Sequence, residues 1–158
     1  MKRMLIGALI ALNSIGPAYA GTLSATDREA ALAALDDEYH ALATYEAVIA
    51  KFGAVRPFVN IRKAEAQHAG AVIGYLQAQG EAVPENPYLT GAKPAPEVPA
   101  TLTAACDLGV QAEIANKDLY DVKLLPMVAD NAELTRILTA LRDASQNNHL
   151  PAFQRCAS

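Results

Sequence analysis

The chain has 158 residues, with 13 Lys and Arg against 17 Asp and Glu, three histidines and two cysteines. Its net charge of −4 at pH 7 argues against nucleic acid and anionic membrane as partners, because both select a cationic surface. Tryptophan is absent, alanine and leucine are abundant, and no run rich in Val, Ile and Thr occurs, so the composition predicts an all-helical protein.

Residues 1–20 read MKRMLIGALIALNSIGPAYA: two cations, an apolar run from Met4 to Ile15, then Ala18-Tyr19-Ala20 with small residues at both recognition positions. This is the pattern of a secretory signal peptide. The run is shorter than the roughly 20 apolar residues of a membrane helix, and no other stretch approaches that length. The expectation is an exported protein, periplasmic or secreted, that begins near Gly21 and has no membrane contact after cleavage. Without the leader, eleven cations face seventeen acids, a net charge of −6. Residues 21–158 suit one domain with one core.

Thr26-Asp27-Arg28-Glu29 has capping-box spacing, and Leu32, Leu35, Leu42, Tyr45 and Ile49 then recur at threes and fours. These predict a first helix running to about Lys51 and stopped by Gly53. Pro57 opens a second helix, whose stripe of Ile61, Val72, Tyr75 and Leu76 ends at Gly80. The short link makes the two antiparallel.

Residues 81–100, EAVPENPYLTGAKPAPEVPA, hold five of the nine prolines and no helical period. A loop this long in a small domain needs a reason. The second helix is roughly 35 Å long at 1.5 Å per residue. Twenty extended residues at about 3.3 Å each can return along it, so a crossover is predicted. The third helix, about Thr101 to Leu125, then runs parallel to the second and is ended or kinked by Pro126. Asp130-Asn131-Ala132-Glu133 caps a fourth, which carries Leu134, Ile137, Leu138 and Leu141 toward Pro151 and is antiparallel to the third. The fold class is therefore all-α, a four-helix bundle with one long crossover between its second and third helices.

Polar residues interrupt every apolar stripe. Glu38 falls among Leu35, Leu42 and Tyr45. Glu65 and His68 fall between Ile61 and Val72. Glu113 shares a side with Cys106, Val110 and Tyr120, and Ser145 and His149 follow Leu138 and Leu141. An isolated buried carboxylate costs several kcal/mol or takes up a proton. Three in one small bundle call for a shared counter-charge. Two divalent or trivalent ions supply it, and carboxylate oxygen with imidazole nitrogen suits iron or manganese. Glu and His three apart on a helix are neighbours, so Glu65 is placed to bridge two ions while His68 terminates one.

Taken one at a time, the ordinary reading prevails: a Glu at a solvated stripe edge, a His hydrogen-bonded in the core. Coincidence on four stripes carries the metal reading. His40, two residues from Glu38, falls on another side of its helix and reads as a surface residue. Tyr39, Tyr45, Tyr75 and Tyr120 read first as packing residues. Cys106 and Cys156 fall at the same end of the bundle, the second just past the fourth helix. In an oxidising compartment they are expected to pair, closing a loop of about 50 residues worth roughly 4 kcal/mol on the chain-entropy model.

LDDEYHALATYEAVIAKFG (35–53), FVNIRKAEAQHAGAV (58–72), GVQAEI with the following DLYDV (109–122) and NNHLPAFQRC (147–156) together resemble a ferritin-like domain family of bacteria and archaea related to rubrerythrin. The resemblance covers nearly all of the mature chain, in order. It implies a ferritin-like four-helix bundle with a carboxylate-bridged di-metal centre, most often di-iron, and places the metal ligands on Glu38, Glu65, His68, Glu113 and His149.

The chain departs from that pattern on the fourth helix, where Gln146 stands in place of a carboxylate three residues before His149. Asp143 lies one turn further back, and Lys117 lies one turn after Glu113, spaced to pair with it. Two ferrous ions against three carboxylates leave a charge of +1, which a hydroxide or substrate anion would neutralise. No Cys-x-x-Cys pair of a rubredoxin-like module is present. The expected function is iron-dependent redox, either ferrous oxidation or reduction of peroxide or oxygen, with metal ions and an electron-donor protein as partners. The alternative is a non-catalytic exported bundle whose polar core is hydrogen-bonded and whose role is protein binding or stress protection.

Overall fold

A computed structural model describes residues 23–158, so the leader sequence lies outside the described residues. Among those residues the protein is all-helical, with no strand. Helix α1, Ala25–Phe52, begins one residue before the expected capping box. Ser24 is its N-cap, accepting from the Asp27 backbone N–H at 3.0 Å. Gly53, at φ 85°, ends it. Helix α2, Phe58–Ala78, starts directly after Pro57 and returns antiparallel to α1, since Arg62 reaches Glu46 while His68 reaches Glu38.

The segment from Gln79 to Thr101 contains no helix and runs along α1. Its contacts extend from the start of that helix to its end: Glu81 with Arg28 at 2.6 Å, the Pro84 carbonyl with the Tyr39 hydroxyl at 3.1 Å, Lys93 with Asp36 at 2.6 Å, and the Pro99 carbonyl with Lys51 at 2.8 Å. This many prolines remove backbone donors, so side chains on α1 supply the anchoring.

Helix α3, Leu102–Asp118, is capped by Thr101, whose hydroxyl accepts from the Ala104 N–H. It passes through a π-helical stretch, Leu119–Leu124, into a short α4, Leu125–Met127. Helix α5, Ala132–Ala144, is capped by Asn131 and passes through a second π stretch, Ser145–His149, into α6, Leu150–Ala157. The third helix ends one residue past Pro126, where the sequence predicts its end, whereas the fourth, predicted to run toward Pro151, continues through that proline to Ala157.

A π stretch stands just before each proline. The Leu125 N–H donates to the Tyr120 carbonyl and the Leu150 N–H to the Ser145 carbonyl, each five residues back. A proline clashes with the carbonyl four residues earlier and donates nothing, and the wider π turn relieves both demands without breaking the helix. Cys156 accordingly lies within α6 rather than beyond the last helix. It is joined to Cys106 of α3, with a Cα–Cα distance of 5.6 Å.

Two apolar clusters form the core. One gathers Leu35, Leu76, Leu124, Leu134 and Leu138; the other gathers Tyr45, Val48, Phe58, Cys106 and Phe153. Along α1, α2, α3 and the α5–α6 helix, the polar intruders fall between residues of the first cluster and residues of the second. In the second cluster α3 and α6 touch closely at Gly109, where a Cβ would stand 2.5 Å from the Phe153 ring. No described helix is long and apolar enough to cross a membrane.

Candidate metal centre

Glu38, Glu65, Glu113 and His149 are buried, each at most 4% exposed, in the gap between the two apolar clusters. His68 closes the group from α2, with 15% of its side chain reaching solvent. The five residues predicted from sequence therefore meet in one place. They form two groups of three, Glu38–Glu65–His68 and Glu65–Glu113–His149, and Glu65 belongs to both.

The distances show how Glu65 joins them. One of its oxygens lies 3.0 Å from His68 Nδ1 and the other 3.1 Å from His149 Nδ1. Glu38 approaches His68 Nδ1 at 3.3 Å, and Glu113 approaches His149 Nδ1 at 3.6 Å. The two imidazoles lie nearly parallel, with centroids 5.4 Å apart. Ligand atoms at right angles around an ion, each about 2.1 Å from it, are about 3.0 Å apart, which is the spacing seen here. His149 Nδ1 is buried and has no hydrogen-bond partner of acceptable geometry. An orphaned nitrogen aimed at two carboxylates, in a set of oxygen and imidazole donors, could hold a metal ion.

Each of the two flanking carboxylates accepts from a tyrosine, in a reciprocal arrangement. Tyr120 of the first π stretch donates to Glu38 at 2.7 Å, and Tyr45 of α1 donates to Glu113 at 2.9 Å. Glu38 meets Tyr120 while Tyr45 meets Glu113, so α3 runs antiparallel to α1. Ser145 donates to the second oxygen of Glu113. Both tyrosines are buried in the core, as their apolar neighbours suggest, but each also orients a carboxylate. The sequence carried a sign of this: a tyrosine follows seven residues after Glu38 and again seven after Glu113, two turns along the same face.

Burial pushes the Glu38 carboxyl up to about 8, despite its hydrogen bond to His68. Burial also disfavours ionised Glu65, but the imidazoles of His149 and His68 beside it prevail and hold it at about 2. Burial works against both imidazolium ions, yet Glu38 and Glu65 raise His68 to about 10, and Glu113 and Glu65 raise His149 to about 9. Without a metal, the group at pH 7 thus keeps a proton on Glu38 and one extra proton on each histidine. Burial pushes Tyr45 and Tyr120 well above the usual phenol range, so both remain donors.

Other residues fall outside the centre. Gln146 donates to the Glu113 backbone carbonyl at 2.8 Å, bracing α3 where a carboxylate was expected. Asp143 is turned to solvent beside Arg142. Lys117 pairs with Asp121 at 3.0 Å rather than with Glu113. His40 is exposed and packs on Tyr88. Asp37 is an addition: its carboxylate accepts from Asn116 at 2.7 Å, and burial pushes it up to about 6. Its position, one residue from Glu38 and off the apolar stripe, gave no periodic signal.

A cavity of about 460 Å³ opens beside the centre between α1 and α3, with Glu38, Glu65, His68 and Glu113 in its wall. Another of similar size, lined by Asn60, Ala144 and Asn148, reaches His68 and His149 from the side of α2. No family model matches the chain, and the comparisons with curated proteins and with solved structures return no match.

Proposed function

We propose that the chain is an exported ferritin-like four-helix bundle that binds two iron ions through Glu38, Glu65, His68, Glu113 and His149. Its function is then iron-dependent redox: ferrous oxidation, or reduction of peroxide or dioxygen with an electron-donor protein. Export rests on the leader sequence. The bundle reading is supported by the antiparallel pairing of α1 with α2, α1 with α3, and α3 with α6, and by the proline-rich segment that runs the length of α1.

The observation that carries the metal reading is the placement of Glu65, whose two oxygens face two different histidines at 3.0 and 3.1 Å. Glu65 would contribute to holding both ions, Glu38 and His68 would hold one of them, and Glu113 and His149 the other. Bound there, the ions supply a ferrous/ferric couple. Tyr120, Tyr45 and Ser145 fix the carboxylates by donating to them, and the apolar clusters at either end keep water from the buried side. Three carboxylates leave two ferrous ions with +1. Asp37, ionised at neutral pH and close enough to feel Glu65 and Glu113, brings the total to zero.

A second reading, a polar core with no metal, is favoured by the ion pairs that the histidines already make with the three carboxylates. One experiment separates the two. Protein purified after iron supplementation is expected to hold two ions per chain, and ferrous iron to raise the melting midpoint of the metal-free form. Glu65→Ala is expected to hold less than one. Far less than one ion in the wild type, with no shift of its midpoint, sinks the metal reading and leaves the polar core.

A further inference from the structure

The two cavities that reach the centre differ in the charge around them. Among the described residues, the wall of the cavity between α1 and α3 adds Asp37 and Glu97 to the centre's own carboxylates and holds no Lys or Arg. The wall of the cavity beside α2 holds no Asp or Glu; His68 and His149 line it together with Asn60 and Asn148. Both imidazoles turn Nδ1 toward carboxylates, which leaves the remainder of each ring for this cavity.

The two stretches that wall this second cavity are the cationic part of an acidic chain. Residues 47–64 and 144–158 hold Lys51, Arg56, Arg62, Lys63 and Arg155 and no acid, whereas the rest of residues 21–158 sets six cations against all seventeen acids. Arg62 is partnered by Glu46, and Lys51 is bound to carbonyls of the proline-rich segment. The other three adjoin the cavity along the chain: Arg56 precedes Pro57, Lys63 precedes Ala64, and Arg155 stands three residues after Ala152. All three are exposed, and among the described residues none forms an ion pair. Asp143, the acid next to this wall in sequence, is taken by Arg142.

These cations flank the opening and do not converge inside it. A small anion is held by donors that converge on it, whereas charge spread around an opening attracts a partner whose own charge is spread, a protein surface. The proposed redox function draws electrons from outside the chain, and His68, which lines this cavity, is the most exposed of the five centre residues.

We propose that the face around the second cavity is the docking surface for an acidic electron-donor protein, attracted by Arg56, Lys63 and Arg155. The inference rests on the proposed function and names the partner of that centre by its charge. Each encounter oxidises the donor by one electron and returns one ferric ion to ferrous.

The test uses reduced plant-type ferredoxin as an acidic probe and cytochrome c as a basic one. Binding to metal-free and iron-loaded protein is read by calorimetry and NMR, and reduction of the ferric form by stopped flow. Ferredoxin is expected to bind saturably at low ionic strength with shifts at Asn60, Ala64, Asn148 and Ala152, and to weaken as salt rises; cytochrome c should shift none of these. Arg56→Glu, Lys63→Glu and Arg155→Glu combined should weaken ferredoxin binding and slow reduction at least about tenfold, with the iron content and circular dichroism of the wild type. Lys123→Glu with Arg136→Glu, exposed cations elsewhere, should change both by less than about twofold. Equal loss in that control pair, shifts confined to other residues, or no ferredoxin binding overturns the proposal. Inorganic phosphate shifting the same residues at constant ionic strength, while ferredoxin does not bind, makes the occupant a small anion and overturns it as well. Iron uptake without ferredoxin binding overturns the docking surface alone; ferredoxin binding without iron uptake overturns the centre and leaves an acidic partner of a metal-free bundle.

Discussion

Metal binding at this centre would displace protons. At pH 7 Glu38, at about 8, is about nine-tenths protonated, and His149 and His68, at about 9 and 10, each carry a second ring proton almost fully. Glu65, at about 2, has none to lose. The atoms that would hold the ions are the atoms that hold these protons, so filling the centre should release about three protons per chain at pH 7. At pH 9 Glu38 is mostly ionised and His149 half-titrated, so release should fall to about one and a half. Affinity for the metal rises with pH over this window, because fewer protons compete. The assay is ferrous or manganous titration under anaerobic conditions, by calorimetry in buffers of different ionisation heat or in a pH-stat. His149→Ala should lower the count at pH 7 by about one. Fewer than one proton at pH 7, or a count that does not change between pH 7 and 9, refutes the assignment of these residues as ligands.

The metal-free protein should show the opposite trend in stability. The histidines have raised values in the folded state, so their contribution is complete below about pH 6.5 and is lost as pH passes about 9 to 10. Glu38 is also raised, so its penalty builds up between about pH 4.5 and 8, and with the histidines the thermal midpoint of the metal-free form should fall from pH 7 to 10. Tyr120→Phe removes the hydroxyl donor from Glu38 and should cost about 1–3 kcal/mol in urea unfolding. Gly109→Ala places a methyl group 2.5 Å from the Phe153 ring and should cost at least about 1–3 kcal/mol, although alanine is the better helix former.

Periodicity turned Glu38, Glu65, His68, Glu113 and His149 toward the interior, because each interrupts a three-four apolar rhythm, and the family resemblance gathered them into one set. The same rhythm could not separate packing from orienting roles for Tyr45 and Tyr120. Both are buried, and only the partner across the helix pair decides which one a tyrosine has. Pro151 was misleading for a physical reason: proline reads as a helix stop, yet a turn one residue wider lets the helix pass. Asp37 and Asn116 were invisible because their pairing joins α1 to α3 over 79 positions and depends on the cavity edge rather than on any local pattern. Lys117 had two acids within a turn, Glu113 and Asp121. Inward rotation of Glu113 into the core leaves only Asp121 beside it in solvent.

The two π stretches also set how the chain tolerates insertions and deletions. Each amounts to one extra residue in a helix and offsets everything beyond it by about 100° around the axis. Ser145 and His149 lie inside the second stretch, with Phe153 and Cys156 after it. Removing one residue there would restore an ordinary α turn and swing Phe153 and Cys156 away from Gly109 and Cys106 whenever His149 stayed on Glu65. Homologous chains should therefore vary freely in the length of the proline-rich segment while conserving residue count from Ser145 through Cys156, since the centre and the disulfide are phased to one another through that extra residue.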